Sequence, residues 1–386
     1  MSKGMSFVQK KSTSLWLILS ILVAAIGIYG MVQVFMHGQE EAYGISRGVP
    51  WGILIIGYSF LVAISVGTAV IGSLAHVFKI ESYHVMSKRV ALISLASLIG
   101  AFYLIFWELA GPFELQALRL VANFTEFEIT SPIWWMVTFY MLELPLLALE
   151  VYFLLSNKTN SAFFAALIGF FLGIIAYSTL AFVFASNATR PLWHTSAFSL
   201  FFIISAIAGG IAIILIMIYF SGNSNEYKKS TIALNKTLFI LLFMMLFVNI
   251  WNVIINIYSV NTELSETMKL FIGNGVLANN FYYFEIAIGI VIPTILIIIG
   301  RFENISYSAL SGLLVVIGLF FARFDAIIGG QLLSRPSVEV DFIQHTYHIS
   351  LSELLLFISG LGVVGIIYFL GEKFFYLEEE NHYEEY

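Results

Sequence analysis

The chain has 386 residues, of which 60% are hydrophobic and only 11% charged, and its formal net charge is −6. A soluble protein of this size could not bury so much apolar surface, so the composition excludes a soluble globular protein and predicts a polytopic membrane protein. The absence of cysteine excludes disulfides and thiolate-held iron–sulfur or zinc centres. Any metal redox centre that the protein serves must therefore lie on another chain, and nucleic acid is not an expected partner.

Ten apolar segments are long enough to cross a membrane, given about 20 residues per helical crossing. Helices are expected because an open sheet cannot satisfy its backbone hydrogen bonds in lipid, so the predicted fold class is all-α. The first apolar run follows a basic start but is too long for the core of a signal peptide, so we expect it to be retained. The spans are predicted near residues 14–37, 52–78, 89–111, 133–156, 160–186, 195–220, 237–259, 277–300, 305–329 and 350–371.

Basic residues are distributed unevenly between the two sides of these spans. Twelve Lys and Arg residues lie on the side that holds both termini, and five lie on the other side. Because basic residues concentrate on the cytoplasmic side of membrane proteins, both termini are predicted to be cytoplasmic. The outer loops, near 38–51, 112–132, 260–276 and 330–349, are long and carry nine acidic residues. This acidic outer face predicts the docking of a partner, although outer loops are also free simply to be long.

Spans 2–5 and 6–9 are similar to each other in sequence. Trp51 and Trp193 belong to the matching segments "PWGILIIGYSFLVAISVGTA" and "RPLWHTSAFSLFFIISAIAGG", and Glu143 and Glu285 to "FYMLELPL" and "FYYFEIAIG". The separation between the two members is the same for both pairs. A unit of four spans returns to its starting side, so two copies would share one orientation. The predicted organisation is therefore two four-helix bundles, 52–186 and 187–329, flanked by 1–51 and by 330–386 with its acidic tail.

The ninth span carries two charged residues in the stretch "LFFARFDAIIGG". Charged groups in lipid cost roughly 2.5–3.5 kcal/mol each, so Arg323 and Asp325 are expected to be paired or functional. Two positions apart on a helix they point away from each other, so Arg323 needs another partner. Glu285 and Glu353 are the candidates, and the predicted role is structural, with buried ion pairs joining spans 8, 9 and 10.

Glu108 ends the third span in the stretch "LIFWELAGP", beside Trp107 and before Gly111 and Pro112. It has no cation within helical reach in its own span. An aromatic, outer-facing setting of this kind suits a carboxyl group that exchanges protons, whereas the alternative is a solvated helix end. Glu143 and Glu150 in the fourth span are either structural or an extension of a proton path.

The histidines are placed unfavourably for a membrane haem, which needs two His side chains at similar depth in neighbouring spans. His37, His76 and His194 lie at span ends, and His345 and His348 lie in an outer loop. We therefore expect neither a b-type haem nor a metal ion on this chain.

Three segments carry the most specific motifs of the chain: "VPWGILIIGYSFLVAISVGTA", "NATRPLWHTSAFSLFFIISAIAGG" and "YHISLSELLLFISGLG". Together they resemble the NrfD/polysulfide reductase family of membrane subunits, which includes NrfD, PsrC and HybB-like proteins. The resemblance covers roughly residues 45–375, and the ten-span layout is most similar to the HybB-type branch. The Arg-Pro-Leu-Trp element before span 6 is the most specific part, supported by Tyr347, Ser350 and Glu353. Ile349 replaces a proline that is common in relatives.

The resemblance implies a quinone-reactive subunit without redox metal, so the expected cofactor is a non-covalent quinone, menaquinone first. Such a subunit exchanges electrons with a ferredoxin-like partner protein that holds four iron–sulfur clusters on the outer face. The ferredoxin-like partner in turn connects to a catalytic subunit, which is a molybdopterin enzyme, a hydrogenase or a cytochrome. The implied location is the cytoplasmic membrane of a bacterium or archaeon.

The resemblance also implies a quinone site among spans 1–5 at the outer leaflet. Glu108 would exchange the quinone proton, since relatives carry an acidic residue or His at this place. Some relatives have a His in the centre of span 2, where this chain has Ser65 and Thr68. The remaining candidates are wall residues or headgroup ligands: Trp107, Trp134, Trp135, Tyr140, His37 and His194.

Two other functions fit parts of the pattern. A secondary transporter built on a repeat would use Arg323 and the carboxylates to bind a small solute, but transporters favour midplane sites and broken helices, whereas these polar groups gather at one face. A purely structural anchor would leave Glu108 without a role. The quinone-linked subunit is therefore the preferred interpretation.

Overall fold

The computed structural model describes residues 7–78, 86–109, 121–222, 226–260, 262–334 and 341–375, and the single residues 80, 83, 119 and 377. This part of the chain contains ten helices that are long and apolar enough to cross a membrane. Its only strands are the antiparallel pair β1 (Leu333–Ser334) and β2 (Ile343–Gln344). The predicted all-α polytopic membrane fold with ten spans is confirmed, and the protein is a multi-pass integral membrane protein.

The ten spanning helices are numbered in chain order. α1 has two segments, Phe7–Ile26 and Ile28–His37, and α8 continues from a π-helix, Asn280–Val291, into an α-helix, Ile292–Ile299. Two short helices, Gln39–Ala42 and Thr262–Met268, lie in the loops that follow α1 and α7. These loops are on the side opposite the termini, which is called the outer side after the orientation that the sequence predicts. The others are α2 (Ile53–His76), α3 (Ser87–Glu108), α4 (Pro132–Leu155), α5 (Thr159–Ala185), α6 (Ser196–Ser221), α7 (Lys228–Ile257), α9 (Ile305–Leu332) and α10 (Leu351–Phe374).

The helix ends differ from the hydropathy prediction mainly in α7. This helix begins at Lys228 and not near residue 237, because polar residues at the water-facing end, among them Lys228, Lys229 and Ser230, continue the helical backbone without belonging to the apolar run. Side-chain caps define the starts of α4, α9 and α10. The Ser131 hydroxyl accepts from the backbone N–H of Trp134 at α4, and Asn304 accepts from Ser306 at α9. These caps satisfy backbone donors that the first helical turn leaves unpaired.

The core is centred on α2 and α6. In α2, 94% of the central apolar window is buried within the protein, against 22% for α1 and for α7. α2 packs against α3, α5 and α6, α6 packs also against α7 and α9, and α10 packs against α1 and α3. The α2–α6 contact is close because Gly67 carries no side chain: a Cβ there would lie 1.9 Å from the Ala206 carbonyl oxygen.

A cluster of aromatic and polar side chains joins the outer ends of α2, α5, α6 and α9. The Trp51 ring stacks on Trp193, with centroids 5.3 Å apart. The buried Gln331 side chain bonds both the N–H and the carbonyl of Trp51. Arg190 donates to the carbonyls of Gln331 and Gly48. The Arg-Pro-Leu-Trp element thus fastens the outer ends of four helices together.

Candidate functional site

Glu108 is the last residue of α3, at the outer end of the helix, and its side chain is half-buried. Its Oε2 atom is buried and has no hydrogen-bond partner among the described residues. The backbone N–H of Gly52, just before α2, lies near the same carboxyl group. Glu108 therefore keeps one oxygen available in an enclosed place, where it can accept or donate a proton.

Glu353 is a second carboxyl group next to Glu108, and the two interact electrostatically. It is completely buried in the first turn of α10. Its Oε2 accepts from the backbone N–H groups of Gly44 (2.7 Å) and Ser350 (3.1 Å), and its Oε1 accepts from the Tyr347 hydroxyl (3.0 Å). Residue 52 can lie against this carboxylate only because it is glycine, since a Cβ there would lie 2.2 Å from Oε1.

The segment between α1 and α2 covers the end of α3. Gln39 Nε2 and the Tyr43 hydroxyl both donate to the Trp107 carbonyl, at 2.7 and 2.8 Å. Burial raises the pKa of Tyr43, and the Glu108 and Glu353 carboxylates add to this rise. Tyr43 therefore stays protonated at physiological pH and remains a donor.

Tyr347 holds the start of α2 to the start of α10. Its hydroxyl accepts from the Ile53 backbone N–H at 2.7 Å while donating to Glu353. Burial, followed by the Glu353 carboxylate, raises the pKa of Tyr347. The phenol consequently keeps its proton, and Glu353 keeps this hydrogen bond, over the physiological pH range.

Aromatic side chains pack around Trp107, the chain neighbour of Glu108, and around Tyr140. The Trp107 ring packs edge-on against Phe35 of α1, with centroids 5.8 Å apart. Deeper between α2, α3 and α4, the Tyr140 ring lies 6.3 Å from both Tyr58 and Phe102. The Tyr140 hydroxyl is buried and lacks a hydrogen-bond partner within the described part of the chain. Aromatic rings thus occupy the outer part of the interface between α2, α3 and α4.

Glu143 lies one helical turn below Tyr140 and is completely buried. Neither of its carboxylate oxygens has a hydrogen-bond partner among the described residues. Together with Glu108 and the Tyr140 hydroxyl, it forms a set of unpartnered polar atoms in one half of the protein. Glu150, two turns further inward on α4, is also buried.

Several predicted site residues have other neighbours. Trp134 and Trp135 donate their ring N–H groups to the Asn123 and Ile129 carbonyls at the outer end of α4. His37 is exposed and lies 3.8 Å from the Glu41 carboxylate. The ring of His194 bonds the Ala185 carbonyl at the α5–α6 junction. No described contact connects these four side chains to Glu108, so their part in the site stays a prediction.

Ser65 and Thr68 lie in the middle of α2 and are completely buried. The Ser65 hydroxyl donates to the Ser94 carbonyl of α3 at 2.8 Å, and the Thr68 hydroxyl donates to the Ile64 carbonyl at 2.7 Å. Both hydroxyl groups therefore donate to backbone carbonyls of the protein itself. A role as headgroup ligands remains a prediction.

Arg323 has different partners from those expected. It is completely buried and donates to the Tyr177 hydroxyl and the Ser205 hydroxyl, both at 2.7 Å, while its guanidinium lies 4.0 Å from the centroid of the Phe202 ring. Among the described residues it has no carboxylate within 4.0 Å, and Glu285 acts on it electrostatically from further away.

The rotation of α9 explains this difference. It directs Arg323 at α5 and α6, whereas Glu353 lies at the start of α10 with backbone and Tyr347 partners. Glu285 instead accepts from Asn249 at 2.9 Å. The expected ion pair of Arg323 with Glu285 or Glu353 is therefore replaced by hydroxyl and aromatic contacts. Asp325 is buried, and both its oxygens lack a hydrogen-bond partner in the described residues.

Sequence patterns missed four residues of the outer site: Gln39, Tyr43, Gly52 and Tyr58. Of these, only Gly52 could have been recognised in the sequence, since it comes directly before the apolar run of span 2. Gln39 and Tyr43 lie in a polar loop without a motif. Among the described residues, no group of three or more acidic or His side chains is placed to hold a metal ion.

Comparison with known proteins agrees with this architecture. The family model of polysulphide reductase, NrfD, matches residues 42–334. The chain belongs to the polysulphide reductase NrfD family. It is 23% identical over 381 residues to the Hdr-like menaquinol oxidoreductase integral membrane subunit of Archaeoglobus fulgidus, covering 95% of each chain. It is 20% identical over 398 residues to a selenate reductase subunit of Mesobacillus selenatarsenatis, covering 90% of this chain and 91% of the relative.

Proposed function

We propose that this NrfD-family protein is the quinone-interacting membrane subunit of a respiratory oxidoreductase complex. It would exchange electrons between the quinone pool and an iron–sulfur subunit on the outer face, which serves a separate catalytic subunit. The names of the two relatives support this function, since one is a subunit of a menaquinol oxidoreductase and the other of a selenate reductase. Menaquinone is the proposed quinone on the same ground.

The observation that carries the proposal is the free, buried Oε2 of Glu108 at the outer end of α3. A quinone ring carries two oxygens that gain or lose protons with its reduction or oxidation. The unpartnered Glu108 oxygen fits one such group, because a buried carboxyl without a partner needs a hydrogen bond. The aromatic faces of Trp107, Tyr58 and Tyr140 fit the ring itself.

The remaining side chains hold Glu108 in place and control its surroundings. Gln39 and Tyr43 fix the Trp107 carbonyl, and thereby the last turn of α3. The Gly52 N–H lies near the Glu108 carboxyl, and Oε2 of that carboxyl has no hydrogen-bond partner among the described residues. Glu108 then takes the proton from a quinol hydroxyl, or gives one to a quinone oxygen, near the outer surface. Glu143 offers a second proton position deeper in the same half.

The orientation of the protein belongs to this proposal. The excess of basic residues on the side of the termini supports cytoplasmic termini. The ends of α3 and α10 that hold Glu108 and Glu353 then face outward, as do the long acidic loops. A subunit that docks on these loops would lie within a short distance of the proposed quinone site. The membrane is proposed to be the cytoplasmic membrane of a prokaryote.

Glu108→Gln tests the proposal in the assembled complex. The amide keeps the shape of the side chain but cannot exchange a proton. Quinone-linked electron transfer should fall by roughly 10²–10⁴-fold, the usual loss on removing a general acid–base group. Dye-linked activity of the soluble subunits and the amount of assembled complex should stay at the wild-type level. Both activities are measured on purified complex.

Glu303→Gln is the matched control, because Glu303 is exposed on the side of the termini, away from Glu108 and from the loops on which a partner would dock. It should leave quinone-linked activity unchanged. Full quinone-linked activity in Glu108→Gln would rule out Glu108 as the proton-exchanging group. His37 and His194 would then be the next residues to vary.

A further inference from the structure

A cleft opens between α7, α8 and α9 on the side of the protein that holds both termini. Its volume is about 420 Å³, within the roughly 300–1,000 Å³ of small-molecule sites. Lys228, Arg301 and Glu303 supply its charged groups, and Ile299 and Ile305 supply apolar ones. The cleft thus lies where helices leave the membrane, at the opposite end of the spans from the Glu108 site.

The charged side chains of the cleft leave one positive group available. Two cations and one carboxylate line it, so one positive charge is left over. Lys228 Nζ lies 3.0 Å from the Glu303 carboxylate, and these two charges offset each other. Among the described residues, no carboxylate lies within 4.0 Å of the Arg301 guanidinium. Arg301 can therefore bind an anion that enters the cleft.

The turn that carries Arg301 has an unusual backbone. Arg301 and Phe302 have φ angles of 50° and 64°, which residues other than glycine rarely adopt. Asn235, completely buried in α7, donates to the Phe302 carbonyl at 2.8 Å, and the Phe302 ring packs edge-on against Phe239. Strained turns persist only where surrounding contacts hold them, and they cluster at sites that clamp ligands. Contacts with α7 therefore fix the position of Arg301 at the cleft.

The start of α9 is not the group that would hold an anion here. Asn304 Oδ1 accepts from the backbone N–H groups of Ser306 and Tyr307, at 3.0 and 3.2 Å. Backbone donors that would otherwise attract an anion to a helix start are thereby satisfied. An anion in the cleft would be held by side chains, foremost Arg301.

An exposed apolar strip on α8 leads from the bilayer to the cleft. Ile292, Ile295 and Ile299 lie three and four residues apart, so they share one face of the α-helical part of α8. Their side chains are 40%, 47% and 57% exposed. Ile299 also lines the cleft, just before the turn that carries Arg301. An acyl chain can therefore follow α8 while its headgroup lies in the cleft.

The cleft and the strip together select among ligands. A soluble anion would bind Arg301 but would make no use of the apolar strip. A zwitterionic lipid brings an ammonium group, but Glu303, the carboxylate of the cleft, is already paired with Lys228. An anionic phospholipid suits both parts, since its phosphate accepts hydrogen bonds from a guanidinium and its acyl chains pack on isoleucines. Basic pockets between membrane helices bind such headgroups on the cytoplasmic side.

We propose that this cleft, with Arg301 and Lys228 at the headgroup and Ile295 and Ile299 along an acyl chain, binds an anionic phospholipid. Arg301 donates to the phosphate, and Lys228 adds a second positive charge beside it. Glu303 carries the same charge as the phosphate and takes no part in holding it. The bound lipid would join α7, α8 and α9 on the side of the termini. The proposal is independent of the quinone site.

Lipid retention by the purified complex tests the proposal. The complex in detergent is supplied with phosphatidylglycerol or with phosphatidylcholine of the same acyl chains, and native mass spectrometry counts the bound lipids. Phosphatidylglycerol should give a bound lipid that phosphatidylcholine does not give, and excess inorganic phosphate should not displace it. Equal retention of the two lipids would overturn the proposal. Displacement by phosphate would also overturn it, in favour of a site for free anions.

Arg301→Asn removes the charge and keeps the turn, because asparagine adopts positive φ angles more readily than other side chains. The affinity for phosphatidylglycerol should fall roughly tenfold, as expected for losing hydrogen bonds to a charged group. Lys229→Asn is the matched control, since Lys229 is exposed on the same side but does not line the cleft. It should lower the affinity less. Equal losses would show a general attraction of basic residues for anionic lipid and would overturn the defined site.

A photoreactive lipid gives a second readout that does not depend on the folding of a variant. Phosphatidylglycerol with a diazirine in one acyl chain should label residues Ile292–Ile299 of the wild-type complex. Phosphatidylcholine with the same diazirine should label this segment less. Equal labelling by the two lipids would contradict a site that selects an anionic headgroup.

Discussion

At the scale of single residues, Glu353 joins the segment before α2 to the start of α10 through its hydrogen bonds. Its carboxylate binds backbone donors of Gly44 and Ser350 and the hydroxyl of Tyr347. Ser350 in turn accepts from the Glu353 N–H, which completes a capping box at the start of α10. Tyr347 extends the network to Ile53 at the start of α2. One side chain therefore fixes the segment that covers Glu108.

Glu353→Ala should lower the stability of the complex strongly. The substitution leaves buried donors without an acceptor, and each such group costs about 1–3 kcal/mol. Thermal inactivation of purified complex in detergent, followed by dye-linked and quinone-linked activity, measures the effect. Ser350→Ala is the comparison, since losing a cap costs only about 1 kcal/mol. A Glu353→Ala complex as heat-resistant as Ser350→Ala would contradict this role.

At the scale of helices, the contact between α2 and α6 sets how closely the two halves approach. Gly67 of α2 lies against the backbone of Ala206, so any side chain at residue 67 would force the two helices apart. Small residues permit such close backbone approach between membrane helices. Because α2 and α6 also hold the cluster of Trp51 and Trp193, their separation would affect the outer ends of both halves.

Gly67→Ala should therefore destabilise the protein by about 1–3 kcal/mol, the usual cost of overpacking. Gly72→Ala on the same helix is the control, since its nearest obstacle is a movable Val90 methyl group at 3.2 Å. Alanine has the higher helix propensity at both positions, so the control should be neutral or slightly stabilising. The midpoint of thermal unfolding in detergent distinguishes the two variants. Equal midpoints would show that the halves can separate freely.

Hydropathy predicted the spans, but not the shape of each helix. The π-helix of α8 has the same apolar composition as an α-helix, so nothing in the residue pattern distinguished it. The partners of Arg323 depend on the rotation of α5, α6 and α9, which an apolar run does not determine. Hydroxyl and aromatic partners are also harder to recognise in a sequence than a residue of opposite charge. The position of Glu108 at the end of α3 could be predicted because the apolar span ends there and carries a single carboxyl group.

At the scale of the whole molecule, the polar atoms without partners occur in both halves. The first half has Glu108 and Glu143, and the second has Asp325, with Glu285 bonded only to Asn249. The organisation as two four-helix units stays a prediction. The stacking of Trp51 on Trp193 supports it, because the two residues occupy corresponding places in the proposed units.

The orientation of the molecule can be measured with single cysteines, since the natural chain has none. Glu126→Cys, in the loop between α3 and α4, should react with a membrane-impermeant maleimide in intact cells. Lys229→Cys, at the start of α7, should react only after the cells are opened. Both side chains are exposed in this chain, so in cells that do not make the partner subunits access depends on the membrane alone. The opposite pattern would place the termini, and with them the face that carries Glu108, on the other side of the membrane.

The network around Glu353 also bears on how the protein is made. A ribosome delivers the spans in order, so α3 and Glu108 enter the membrane long before Tyr347 and Glu353 are synthesised. Until then Gly44 and Ile53 lack the acceptors that hold them over the end of α3. The compartment around Glu108 is consequently finished by the last helix to be inserted. The proposed quinone site would therefore form only after α10 has been inserted.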